Sequence, residues 1–144
     1  MFDKTVDQRL SLWYAFRSSL ENDSEPLAST WNFWKNAPFI PFNHKIDRYN
    51  NNIWPTPWEI IVENKYDDFT KALMIGWTIK LTERFKNNCI ELKSIVDNTK
   101  NTYYNIVCVD NFWVINYSDI GPVKTDLLPK TIFIEYLIEL TLPK

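Results

Sequence analysis

Apolar residues in the first part of the chain recur at three- and four-residue steps. Val6, Leu10, Trp13, Phe16 and Leu20 fall on one side of a helix, with Gln8, Arg9, Arg17 and Glu21 mainly on the other. The pattern predicts a helix over residues 3–22, ended by Asn22-Asp23-Ser24. A second helix is expected over residues 27–36, with Ser24 as its cap, Pro26 near its start, and Leu27, Trp31 and Trp34 on one face. Pro38 stops it. Thr56-Pro57-Trp58-Glu59 has the form of a capping box with proline at the first helical position, so a short helix should follow over residues 57–65. Asp67 or Asp68 can cap a longer one reaching about residue 85, with Phe69, Leu73, Trp77 and Leu81 on one stripe. Gly76 interrupts that stripe at a cost of about 1 kcal/mol relative to Ala. Either a close approach by another element or simple tolerance explains it.

After Asn87-Asn88 the period shortens. Residues 89–96, 102–109 and 112–117 are rich in β-branched and aromatic residues and read as strands. Asp110-Asn111 joins the last two as a two-residue hairpin connection. Residues 97–101 read as a turn and 120–122 as a loop. Residues 131–140 alternate as a strand, with a helix as the alternative. Helices first and an antiparallel sheet after them predict an α+β fold in a single domain spanning residues 1–144.

One stretch has neither period. Residues 37–55 are apolar, punctuated by Pro38 and Pro41, and hold Phe39, Ile40, Phe42, Tyr49, Ile53 and Trp54. So long a coil is uncommon in a compact domain and often functional. It is expected to pack over the core.

Composition narrows the chemistry. The chain has 144 residues, 45% of them apolar, and a formal net charge of −2, an ordinary globular balance. Like charges never run beyond two residues, so the basic face that nucleic acid requires is missing and nucleic-acid binding is not expected. Met1-Phe2-Asp3-Lys4 does not open a signal peptide, and no apolar run approaches the ~20 residues of a bilayer span, so no membrane role is expected. Two glycines cannot build a phosphate-cradling loop, and one histidine, His44, cannot build a multi-histidine metal site. Cys89 and Cys108 match no zinc or redox spacing and read as reduced, packed thiols. Neither cofactor nor metal is expected.

Three constellations remain. Asp67-Asp68 is a carboxylate pair at a helix start, able to act in acid–base chemistry or merely as a cap. Cys108 with His44 would be a nucleophile and base, but Cys108 sits in mid-strand and not at a helix N-terminus, where its pKa would fall. The third is aromatic. Seven Trp and an aromatic share of 16% accumulate around Trp31, Trp34, Phe39, Phe42, Trp54 and Trp58, either as core filling or as a protein-binding surface.

Two resemblances carry the reading further. The segments Ala15-Phe16-Arg17-Ser18-Ser19, Phe33-Trp34-Lys35-Asn36-Ala37-Pro38 and Trp54-Pro55-Thr56-Pro57-Trp58-Glu59 resemble a family of small uncharacterised proteins of T-even-type bacteriophages. Fifteen Asn and fifteen Ile suit the AT-rich genome this implies. The helix opening at Tyr66-Asp67-Asp68-Phe69 and the two strands of the hairpin look like the core of the transglutaminase-like cysteine-protease fold. That fold places Cys at the helix start, His on a strand and Asp on the next. Those positions fall here on Tyr66, on Tyr103 or Tyr104, and on Asn116 or Asp119. Tyrosines with pKa near 10 cannot replace a thiolate–imidazolium pair, which implies a degenerate core. The expectation is a non-catalytic phage accessory protein in the host cytoplasm. It would bind a host or phage protein through Phe39, Phe42, Tyr49, Trp54 and Trp58. The alternatives are a small hydrolase acting through Asp67, Asp68 and Tyr104, or a virion component.

Overall fold

The computed structural model describes residues 1–142. Among them four α-helices precede a five-stranded antiparallel sheet, an α+β arrangement. Helix α1, Val6–Ser19, starts at Thr5, whose hydroxyl accepts the Gln8 N–H while the Gln8 side chain accepts the Thr5 N–H. Helix α2, Pro26–Trp34, opens on its proline; Ser24 does not cap it, and Glu25 at the N-cap makes no side-chain bond. Helix α3, Pro57–Glu63, has the capping box of Thr56 and Glu59 and ends at Asn64 in the left-handed region (φ 58°).

Helix α4, Asp68–Lys80, is capped by Asp67 and stops five residues short of the expected end. Side chains compete with the helix there. The Thr82 hydroxyl donates to the Ile79 carbonyl (2.7 Å) and accepts the Phe85 N–H (3.1 Å). Glu21, distant in sequence, accepts the N–H groups of Glu83 and Arg84 at 2.9 Å each.

The strands are β1 Ile90–Asp97, β2 Thr102–Val109, β3 Trp113–Ser118, β4 Gly121–Lys124 and β5 Ile132–Glu139, ordered β4-β3-β2-β1-β5. Asp110 and Asn111 both take left-handed φ, 54° and 55°, as a tight hairpin connection requires. Of the loop expected at 120–122, Gly121 and Pro122 instead start β4. Ser118 pairs with Gly121 across a turn of only Asp119 and Ile120, and Gly121 has φ 130°. Residues 132–139 are strand rather than helix, paired with β1 along their length.

Helices α2 and α4 lie over one face of the sheet, and the main core fills the space between. Its centre is aromatic and has one polar node. The indoles of Trp13 and Trp34 both donate to the Thr78 hydroxyl (3.0 and 2.9 Å), and that hydroxyl donates to the Met74 carbonyl (2.6 Å). Gly76 is a close approach: a Cβ there would lie 2.7 Å from Leu140 Cδ1. The opposite face holds a smaller cluster of Ile95, Ile106, Cys108 and Val114, roofed by Leu128 and Ile132. Both cysteines are free, and burial pushes each thiol up from its ordinary pKa.

Candidate functional site

The loop over residues 38–55 has no regular structure beyond a single turn at Asn51–Ile53, yet it is tied down along its length. Its entry runs beside the approach to α4, where the Pro38 carbonyl accepts the Tyr66 N–H (3.3 Å) and the Ile40 N–H donates to the Tyr66 carbonyl (3.0 Å). Its middle is fixed by buried Asp67. One carboxylate oxygen accepts the Thr70 N–H and hydroxyl (2.7 and 2.6 Å), and the other accepts the Asn43 N–H (2.9 Å). Asn43, also buried, donates to the Lys65 carbonyl and accepts the Lys45 N–H. Farther on, the Arg48 guanidinium lies 5.1 Å over the Phe69 ring and donates to Ser94 Oγ and Asn105 Oδ1 (3.3 Å each). Buried polar bonds of this kind hold a backbone in one conformation, because breaking them strands their partners away from water.

What the loop presents is apolar. Phe39 is 71% exposed, Phe42 59%, Tyr49 67% and Ile53 63%. Phe42 stacks edge-on against His44 at 4.9 Å, and Tyr49 lies 5.2 Å from Tyr136 of β5. Trp54 is half-buried: its indole donates to the Asp47 carbonyl (2.6 Å) and its ring meets Phe69 edge-on at 5.6 Å, so it anchors the loop. Trp58 is half-exposed but turned toward α1, 6.0 Å from Trp13 and beneath Arg17. Of the five expected partner-binding residues, Phe39, Phe42 and Tyr49 point outward from the loop, and Ile53 joins them. A hollow of about 270 Å³ separates the loop from α3, between Asn43, Ile46, Pro55 and Ile60.

The carboxylate pair does not act together. Asp67 serves the loop and Asp68 points to the sheet. One Asp68 oxygen accepts the Asn105 N–H (3.3 Å) and side-chain amide (2.9 Å), the other the Asn116 amide (3.3 Å), with Lys71 at 3.9 Å. Asn116 takes φ 71° within β3 and also donates to the Asn105 carbonyl (2.7 Å). Asp68, Lys71, Asn116, Tyr104 and Tyr117 line a cleft of about 200 Å³. Tyr104 therefore shares a cleft with Asp68, and Asp67 does not. The helix start and two successive strands do converge there, but through Asp68, Asn105 and Asn116. Tyr66 is buried in the main core, where desolvation pushes its phenol well up, opposed only by Arg9. Asp119 contributes its backbone carbonyl, to the Trp31 indole (3.3 Å). Amide side chains neither give nor take protons near neutral pH, and both oxygens of Asp68 are engaged.

Cys108 lies in the cluster on the opposite sheet face from this cleft's Asp68 network, and His44 lies on the loop. Among the described residues no group of three or more His, Cys, Asp or Glu is placed to hold a metal. No helix among them is long and apolar enough to cross a membrane. Asn43, Arg48, Ser94 and Asn105 escaped sequence reasoning, because each acquires its role from partners more than ten residues away. No protein-family model matches the chain, and no curated protein matches it.

Proposed function

We propose that the protein is a non-catalytic bacteriophage accessory module that binds a host or phage protein in the host cytoplasm through the loop at residues 39–53. One observation carries this reading: Phe39, Phe42, Tyr49 and Ile53 are each more than half exposed on a loop that buried Asp67 and Asn43 hold in place. Rings that are ordered before binding lose little entropy on docking, and aromatic anchors of this type dominate interface energies. The cleft at Asp68 supports the non-catalytic half, since its carboxylate is engaged by amide donors and no thiol or imidazole reaches it.

The test is affinity capture from infected host cells with tagged wild type, a Phe39→Ala/Phe42→Ala variant and an Ile120→Ala control. Ile120 is 92% exposed but lies on the β3–β4 turn. Wild type and the control should recover the same protein, and the double variant should lose it by at least tenfold, about 1.4 kcal/mol. Equal recovery by all three would assign binding to another surface.

A further inference from the structure

The two edges of the sheet are built differently. β4 is a guarded edge: four residues long, with Pro122 unable to donate and Lys124 charged. β5 runs eight residues with neither proline nor lysine; it carries Glu135 and Glu139, and its Phe133, Ile134 and Leu137 side chains are about half exposed. Among the described residues nothing pairs with its outer side. A long apolar edge of this kind is a template for another strand.

The register on β1 specifies which strand fits. Leu140 donates its N–H to the Ile90 carbonyl (2.8 Å), so by antiparallel alternation Ile138 and Tyr136 turn their backbone toward β1, and Leu137 and Glu139 turn theirs outward. Glu135 is an extra residue in a bulge, since Ser94 pairs with Tyr136 and Ile95 with Ile134. Past it the parity changes, and Ile132 and Ile134 have the outward backbone, with the Ile132 N–H bonded to the Pro129 carbonyl (3.3 Å). The bulge makes this edge self-complementary. In an antiparallel copy with the dyad through Tyr136, Ile134 faces Leu137 twice, Phe133 faces Ile138 twice, and Ile132 faces Glu139 twice. All four residues with outward backbone groups then meet one another, and every pair lies on a common face. A parallel copy would set Glu135 on Glu135 and Glu139 on Glu139.

We propose that β5 pairs antiparallel with β5 of a second copy about Tyr136, joining two five-stranded sheets into one of ten strands. The homodimer brings the two loops together at the dyad, because Tyr49 packs on Tyr136. It is independent of whether those loops bind a further protein.

Sedimentation equilibrium reads the mass directly. Wild type is expected at twice 17.2 kDa at high micromolar concentration, and Ile134→Lys and Leu137→Glu each as monomers with unchanged circular dichroism. The double variant sets each new lysine opposite a new glutamate and should regain the dimer. Register is read by Tyr136→Cys with diamide, which takes two electrons and two protons from a pair of thiols to leave a disulfide. Opposed residues without cross-strand bonds sit about 4.5 Å apart at Cα, within disulfide range. Tyr136→Cys should cross-link well beyond wild type, which controls for Cys89, and Phe133→Cys should not. A monomeric wild type, a dimer indifferent to both single substitutions, or equal cross-linking at 133 and 136 would each overturn the proposal.

Discussion

Two sets of aromatic side chains in this molecule meet opposite fates. Trp13 and Trp34 are fully buried, with Phe2, Phe33 and Tyr66 packed edge-on or tilted around Trp34. Phe39, Phe42 and Tyr49 are each more than half exposed. In the core, the indole N–H groups of Trp13 and Trp34 are what is satisfied. Thr78 supplies its hydroxyl proton and both lone pairs, the full capacity of that group, to one carbonyl and two indoles. On the loop, the satisfied groups are the backbone and the Asp and Asn side chains beneath the rings, and the rings are left over. Trp54 obeys the core rule within the loop: its N–H found the Asp47 carbonyl, and the ring went inward. Hydrophobicity alone does not separate the two sets. The placement of polar partners does.

The largest test of this contrast is Thr78→Val, which keeps the shape and strands two buried indole N–H groups. Each stranded donor costs about 1–3 kcal/mol, so denaturant unfolding should show a loss of about 3 kcal/mol, with Thr78→Ser losing far less. A loss shared equally by Ser would place the effect in the methyl group. Next is Asp67→Ala, which removes a cap and the loop's central anchor together. The expected loss is about 2 kcal/mol, accompanied by faster amide exchange at Asn43 and Lys45. Unchanged exchange there would show that the loop holds itself. Tyr66→Phe goes the other way. The Tyr66 hydroxyl is buried without a hydrogen-bond partner among the described residues, so its removal should stabilise the protein by about 1 kcal/mol. A destabilisation would mean that the hydroxyl has a partner in solution. The smallest effect belongs to Phe42→Ala, which should change stability by less than about 0.5 kcal/mol while still weakening partner capture.

Legibility in the sequence followed the range of the interactions. Thr56 and Glu59 are three residues apart, and the capping box they announce is present. The Asp110-Asn111 turn and the bounds of β2 were equally readable, since a tight hairpin is decided by adjacent residues. The end of α4 was not, because the carboxylate that takes the N–H groups of Glu83 and Arg84 comes from Glu21 in the first helical segment. The separation of Asp67 from Asp68 had a signal that could have been used. Successive residues at a helix start point in different directions, so neighbours in sequence do not make a paired site. Residues 120–122 misled for the opposite reason, since a glycine followed by a proline marks a turn as readily as the first residues of a short edge strand.

Sequence alone determined that helices come first and an antiparallel sheet after them, the capping box at Thr56, the turn at Asp110-Asn111, and the exclusion of glycine-rich phosphate loops and multi-histidine metal sites. These rest on composition or on contacts within about four residues, which the chain carries wherever it goes. Only the tertiary structure decided that Trp54 turns inward while Tyr49 does not, that Asp67 holds a loop while Asp68 binds two asparagines, and that β5 is left with a free side. Each of those outcomes depends on which distant polar group or strand arrives alongside, and that is set by packing the whole chain at once.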